Sequence, residues 1–175
     1  MTEVSSSAAC EQLGWRGHVL AGVSILSVPV DAVVAIDYRA HRARRSSGQP
    51  PVFDLDTVTL WEWPEWSGPR APEVVRLVGV LSTARDWRRA LTGAARLRGF
   101  GPAAIAVDHA PSEECRLECS LRGVGVVVTS GGTTRCAVAA AEGRAPQARR
   151  RPLDRWVEEC LYEVWCRQEE RLFQC

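Results

Sequence analysis

Seven arginines have the type and spacing to meet phosphate: Arg85, Arg89 and Arg96 at near-helical intervals, and Arg149, Arg150, Arg151 and Arg155 in a later run. A guanidinium is planar, permanently charged and able to give two parallel hydrogen bonds to one phosphate, so such a row suits a nucleic-acid backbone. A solvated helix face and a basic loop are the plainer account of the same residues. Asp108 and His109 are neighbours after an apolar run. An imidazole beside a carboxylate can act as base or metal ligand, and it is also a common polar pair in a turn. Cys115, Cys119 and Cys136 with His109 offer zinc-binding atoms. A C-x3-C step on a helix lacks the short-loop pairing of zinc ribbons, so these are expected to be buried or incidental thiols rather than metal ligands. No serine-nucleophile motif supports a hydrolase.

Composition narrows the chemistry further. All 22 basic residues are arginine. The absence of lysine, with the high Ala and Gly content, fits a GC-rich genome and excludes a lysine base, a Schiff base and a phosphate-binding lysine. A net charge of +1 gives the whole molecule no general attraction to nucleic acid or anionic membrane, leaving only a local basic face for that role. With 46% hydrophobic and 25% charged residues over 175 positions, one globular domain spanning 1–175 is expected. Segments 1–7, 44–51 and 142–152 are expected to be flexible. Residues 19–36, "VLAGVSILSVPVDAVVAI", come nearest to a membrane segment, but Pro29 and Asp31 interrupt them. With no export pattern, a cytoplasmic protein with seven reduced cysteines and no membrane partner is expected.

These groups need a frame, and periodicity supplies an α/β one. A short helix is expected from about Ala8, and the state of Val19–Val28 is left open between helix and strand. "VPVDAVVAIDY", "VFDLDTVTLWEW" and "VVRLVGVLS" read as strands from their β-branched and aromatic content, while Arg39–Arg45 reads as a basic stretch running into the "SSGQPP" loop. From Asp86, a good N-cap, Trp87, Ala90, Leu91, Ala94 and Leu97 form one helical stripe with arginines away from it. "AAIAVD" follows as a buried strand. Ser112 caps a second helix, "VGVVVT" is the next strand, and a Ser-Gly-Gly turn returns the chain as a hairpin. Leu153, Trp156, Val157, Cys160, Leu161 and Val164 mark a long terminal helix. The result is a mixed sheet with a parallel βαβ crossover, flanked by helices.

"DWRRAL", followed by "GAARLRGFGPAAIAV" and "LRGVGVVVT", resembles a group of bacterial PD-(D/E)XK nuclease-like proteins over roughly Val74 to Val128. The resemblance implies a restriction-endonuclease-like fold. It also implies an acidic residue on one strand, an acidic-x-Lys on the next, and Mg²⁺ or Mn²⁺ held by the carboxylates beside the scissile phosphate. Asp31 best matches the first acidic residue, with Asp54 or Asp56 as substitutes. Counting back from Trp87, Leu81 falls at the second acidic position and Thr83 at the lysine; a register two residues earlier gives Gly79 and Leu81. None of these offers a carboxylate or an amine. The resemblance therefore implies the frame without its metal-dependent reaction, so no cofactor is expected. Mg²⁺ or Mn²⁺ would enter only with a displaced site, in which Asp31, Asp54, Asp56 or Glu62 is joined by Asp86 or Asp108.

The expectation is a catalytically degenerate nuclease-like protein, a pseudoenzyme that binds DNA, RNA or a protein partner in a regulatory role. The alternatives are a metal-dependent nuclease with displaced carboxylates and a non-enzymatic interaction subunit. Trp61, Trp63 and Trp66 in "LWEWPEW" offer either a sheet-packing edge, with Trp61 and Trp63 on one strand face, or a protein contact, as does the terminal helix.

Overall fold

A computed structural model of the chain describes residues 3–143 and 150–172. The described residues fall into two compact units, one within 1–34 and 77–146 and the other within 35–76 and 147–175.

The first unit is built around a six-stranded mixed sheet whose strands stand in chain order. Helix α1 (Glu3–Gln12) precedes β1 (His18–Ile25) and β2 (Val28–Ile36). The open stretch 19–28 is thus strand, and β1 and β2 pair antiparallel through a two-residue turn at Leu26 and Ser27. Both turn residues have positive φ, 49° and 65°, the geometry that matches the twist of the flanking strands. Strand β3 (Val75–Ser82) leads through α4 (Trp87–Leu97) to β4 (Ala103–Val107), and α5 (Glu113–Leu121) leads on to β5 (Gly125–Ser130). The β3–β4 and β4–β5 pairs are parallel, as the crossover pattern requires. Gly131 and Gly132, also at positive φ, then turn the chain into β6 (Thr133–Val138), antiparallel to β5.

The local signals explain these elements. Asp86 accepts from the Arg88 N–H and starts α4, whose Ala90, Leu91, Ala94 and Leu97 are buried as the stripe demanded. Ser112 caps α5 by accepting from Cys115 N. Every residue of β4 is buried, consistent with a strand covered on both faces. One face of the sheet forms a core in which Leu81, Val33, Ala104, Ala106 and Val127 meet Ala9 and Cys10 of α1. Helix α1 begins at Glu3, earlier than the expected start near Ala8, because Ser6, Ala9 and Cys10 give it a buried side.

The second unit gives one unassigned stretch its structure and corrects one strand reading. The basic stretch is a helix, α2 (Tyr38–Ser46), capped by Asp37, which accepts from Arg39 N and Ala40 N. "VFDLDTVTLWEW" holds no strand: Leu55–Trp61 is α3, because Asp54 caps it at Thr57 and Val58 and Trp61 turn inward at helical spacing. Trp61 and Trp63 therefore do not share a strand face; Trp61 is buried and Trp63 is 55% exposed. The long helix α6 (Pro152–Leu172) has the expected length, and its buried side carries Arg155 and Glu159 beside Val157, Leu161, Tyr162 and Trp165.

Candidate nucleic-acid interface

The place where the resemblance puts a metal lies on the α1 face of the sheet. Leu81 is wholly buried in the apolar core there, against Ala9, Cys10 and Val33. Gly79, the alternative register, is filled as well: a Cβ added to it would sit 2.7 Å from the Trp15 ring. Asp31 is 7% exposed, and its two oxygens accept from Ser6 Oγ at 2.6 Å and Gly22 N at 2.7 Å. This carboxylate is held by a helix hydroxyl and a strand amide, and neither Leu81 nor Gly79 sets a second carboxylate beside it.

The opposite face is different. At the ends of β2 and β3, beside α4, lies a cavity of about 570 Å³ lined by Ser82, Thr83, Asp31, Asp86, Arg89 and Arg96 among others. Helical spacing sets Arg89, Gly93 and Arg96 in one row along α4. Gly93 brings the helix close to the strands, since a Cβ there would lie 3.0 Å from Val28 Cγ1 and 3.7 Å from Ser82 Oγ. Ser82, which sequence reasoning passed over, is 3% exposed and points to this side. Its alternation with Leu81 along the strand was the available signal.

The arginines differ sharply in what they touch. Arg89 and Arg96 are exposed on the cavity wall and have no carboxylate partner among the described residues. Arg88 is engaged: it gives both Glu114 oxygens a 2.7 Å bond and lies over the Trp87 ring. Arg85 is exposed, and its charge helps hold the Asp108 carboxyl below its usual range, after the larger effect of the His109 hydrogen bond. Asp108 and His109 are a surface pair, Oδ1 to Nδ1 at 2.6 Å. Among the described residues no three of the His, Cys, Asp and Glu side chains are grouped to hold a metal ion. Cys115 and Cys119 face the core of α5, where burial raises both thiols, Cys119 to about 12, while Cys136 is exposed on β6.

The remaining sequence candidates belong to the second unit. Asp54 and Asp56 stand in the first turn region of α3, and Asp54 is held below the usual carboxylate range by its bonds from Thr57. Glu62 closes α3 and lies 3.9 Å from Arg150, which also pairs with Glu73 and Glu158. Arg151 binds Asp154 at 2.6 Å. The charges of Arg150 and Arg151 are thus already matched within this unit. Arg149 lies outside the described residues.

No family model matches the chain, and no curated protein or solved structure proved similar to it. No helix among the described residues is long and apolar enough to cross a membrane.

Proposed function

We propose that this chain is a nucleic-acid-binding protein on a restriction-endonuclease-like frame, acting in a reducing cytoplasm without a metal-dependent reaction of its own. The observation that carries this reading is the contrast on either side of β3. The positions that would hold a metal are sealed by Leu81 and by Trp15 over Gly79, while Arg89 and Arg96 stand on the other side and make no ion pair among the described residues. Guanidinium groups free of ion pairs suit the phosphates of a nucleic-acid strand. A chain of net charge +1 binds through such a local face, so the affinity should be modest and salt-sensitive.

The test is fluorescence anisotropy with labelled single-stranded and duplex oligonucleotides over a salt series. Binding that weakens with salt, with a slope reduced by roughly two for Arg89→Gln combined with Arg96→Gln, is the expected result. No binding at low salt by folded protein would overturn it. A displaced nuclease site deserves the same experiment because Asp31 and Asp86 line one cavity. Strand cleavage in Mg²⁺ or Mn²⁺ that Asp31→Ala or Asp86→Ala abolishes would replace the binding reading with that one.

A further inference from the structure

The cavity beside α4 has a floor as well as a charged wall. Ser82 is 3% exposed and lines that floor, and its hydroxyl makes no hydrogen bond to the protein among the described residues, so it is open to the cavity. A polar group at the floor of a cavity can fix the orientation of what binds there. Its Oγ faces the α4 side at Gly93, between the residues that carry Arg89 and Arg96. We propose that this cavity is a phosphomonoester site, in which the Ser82 hydroxyl and the Arg89 and Arg96 guanidinium groups take the three terminal oxygens of a dianionic phosphate.

The other polar residues at the cavity fit that assignment. Both Asp31 oxygens already accept a hydrogen bond, from Ser6 Oγ and Gly22 N. The Asp86 carboxylate is tied to the start of α4, where it accepts from Arg88 N at 3.1 Å. Thr92 donates its hydroxyl back to the Arg88 carbonyl, and Arg88 itself is held by Glu114, which leaves Arg89 and Arg96 as the available cationic forks. Two forks and a donor hydroxyl match a terminal phosphate, with three non-bridging oxygens, better than a chain diester with two. A volume near 570 Å³ is in the range that accepts a ligand the size of a mononucleotide. The phosphate has two chemical sources, a free nucleotide or the phosphorylated end of a strand. The strand-end source rests on the nucleic-acid reading above; the nucleotide source does not.

Competition binding separates these outcomes. The probes are thymidine, thymidine 5′-monophosphate, and one short oligonucleotide prepared with a 5′-phosphate, a 3′-phosphate or hydroxyl ends. The expected result is that a phosphate-ended strand or the monophosphate binds about 10- to 100-fold more tightly than its unphosphorylated counterpart. Ser82→Val and, separately, the exposed Arg96→Gln should each remove most of that preference, whereas Arg135→Gln on β6 should not. Preference for a phosphorylated strand with no binding of the monophosphate assigns the strand end. Binding of the monophosphate with none of any oligonucleotide keeps the site and overturns the nucleic-acid reading. Equal binding of all oligonucleotide ends, with no competition by the monophosphate, overturns the site and leaves that reading standing. Arg96→Gln keeps the test decisive should Ser82→Val fail to fold.

Discussion

Replacing Glu159 by glutamine tests how the second unit is held together. Its carboxylate is 3% exposed and receives Arg44 Nη1 at 2.8 and 3.0 Å, Arg155 Nη2 at 2.8 Å and Val52 N at 3.0 Å. Arg44 is fully buried, gives its other bonds to the carbonyls of Gln49, Pro50 and Pro72, and lies under the Tyr162 ring. Arg155 also has Glu73 at 3.5 Å, so Arg44 is the group that Glu159→Gln strands as an uncompensated charge. Removing one partner of a buried pair costs about 3–5 kcal/mol. At a typical urea slope near 2 kcal/mol/M, the unfolding midpoint should fall by roughly 2 M. High salt should leave that difference nearly unchanged, because buried charges are weakly screened. The exposed Arg88–Glu114 pair is the control: its bonds are as short, and Glu114→Gln should leave the urea midpoint nearly unchanged. If urea unfolding gives both variants the same small loss, burial is not what makes the Arg44–Glu159 contact matter.

Three further outcomes are expected. Leu81→Asp, alone or with Thr83→Lys, puts a carboxylate into the α1 core and should cost more than about 4 kcal/mol in thermal unfolding; a stable variant that cleaves DNA with Mg²⁺ would refute the placement of that residue. Leu26→Asn with Ser27→Gly suits the positive φ of both turn residues and should raise stability by about 1 kcal/mol, read as a higher melting temperature. His41, whose Nδ1 lies 2.9 Å from the Tyr162 hydroxyl, is held below its usual range first by burial and then by Arg45, with Arg42 and Arg44 adding and Glu169 opposing. The unfolded chain therefore takes up its proton first, and stability present above about pH 6.5 is lost as pH falls toward the folded value. His41→Gln should flatten that part of the pH–stability curve.

Much of the first unit was legible because its signals are local. Asp86 and Ser112 are caps one residue before their helices, the α4 stripe repeats at helical period, and a Gly-Gly pair marks the β5–β6 turn. The second unit was less so. The β-branched content of "VFDLDTVTLWEW" pointed to a strand where Asp54 caps a helix, and the arginines of α2 gave only a basic stretch. Arg44 fills an interior position because Glu159, 115 residues away, compensates its charge, and no local pattern announces such a partner. The candidate site shows the same division.

From the sequence alone came the absence of lysine, the lack of a second carboxylate at Leu81 and Thr83, and an arginine row at helical spacing, since residue type and local period are properties of the chain. Only the tertiary structure decided which of these face one another. The alternation of a strand sends Leu81 to the α1 core and Ser82 to the cavity, and packing turns Asp31 to Ser6 and Gly22 while leaving Arg89 and Arg96 unmatched. Burial and pairing depend on residues far apart in the chain, so they appear only once the sheet has brought them together.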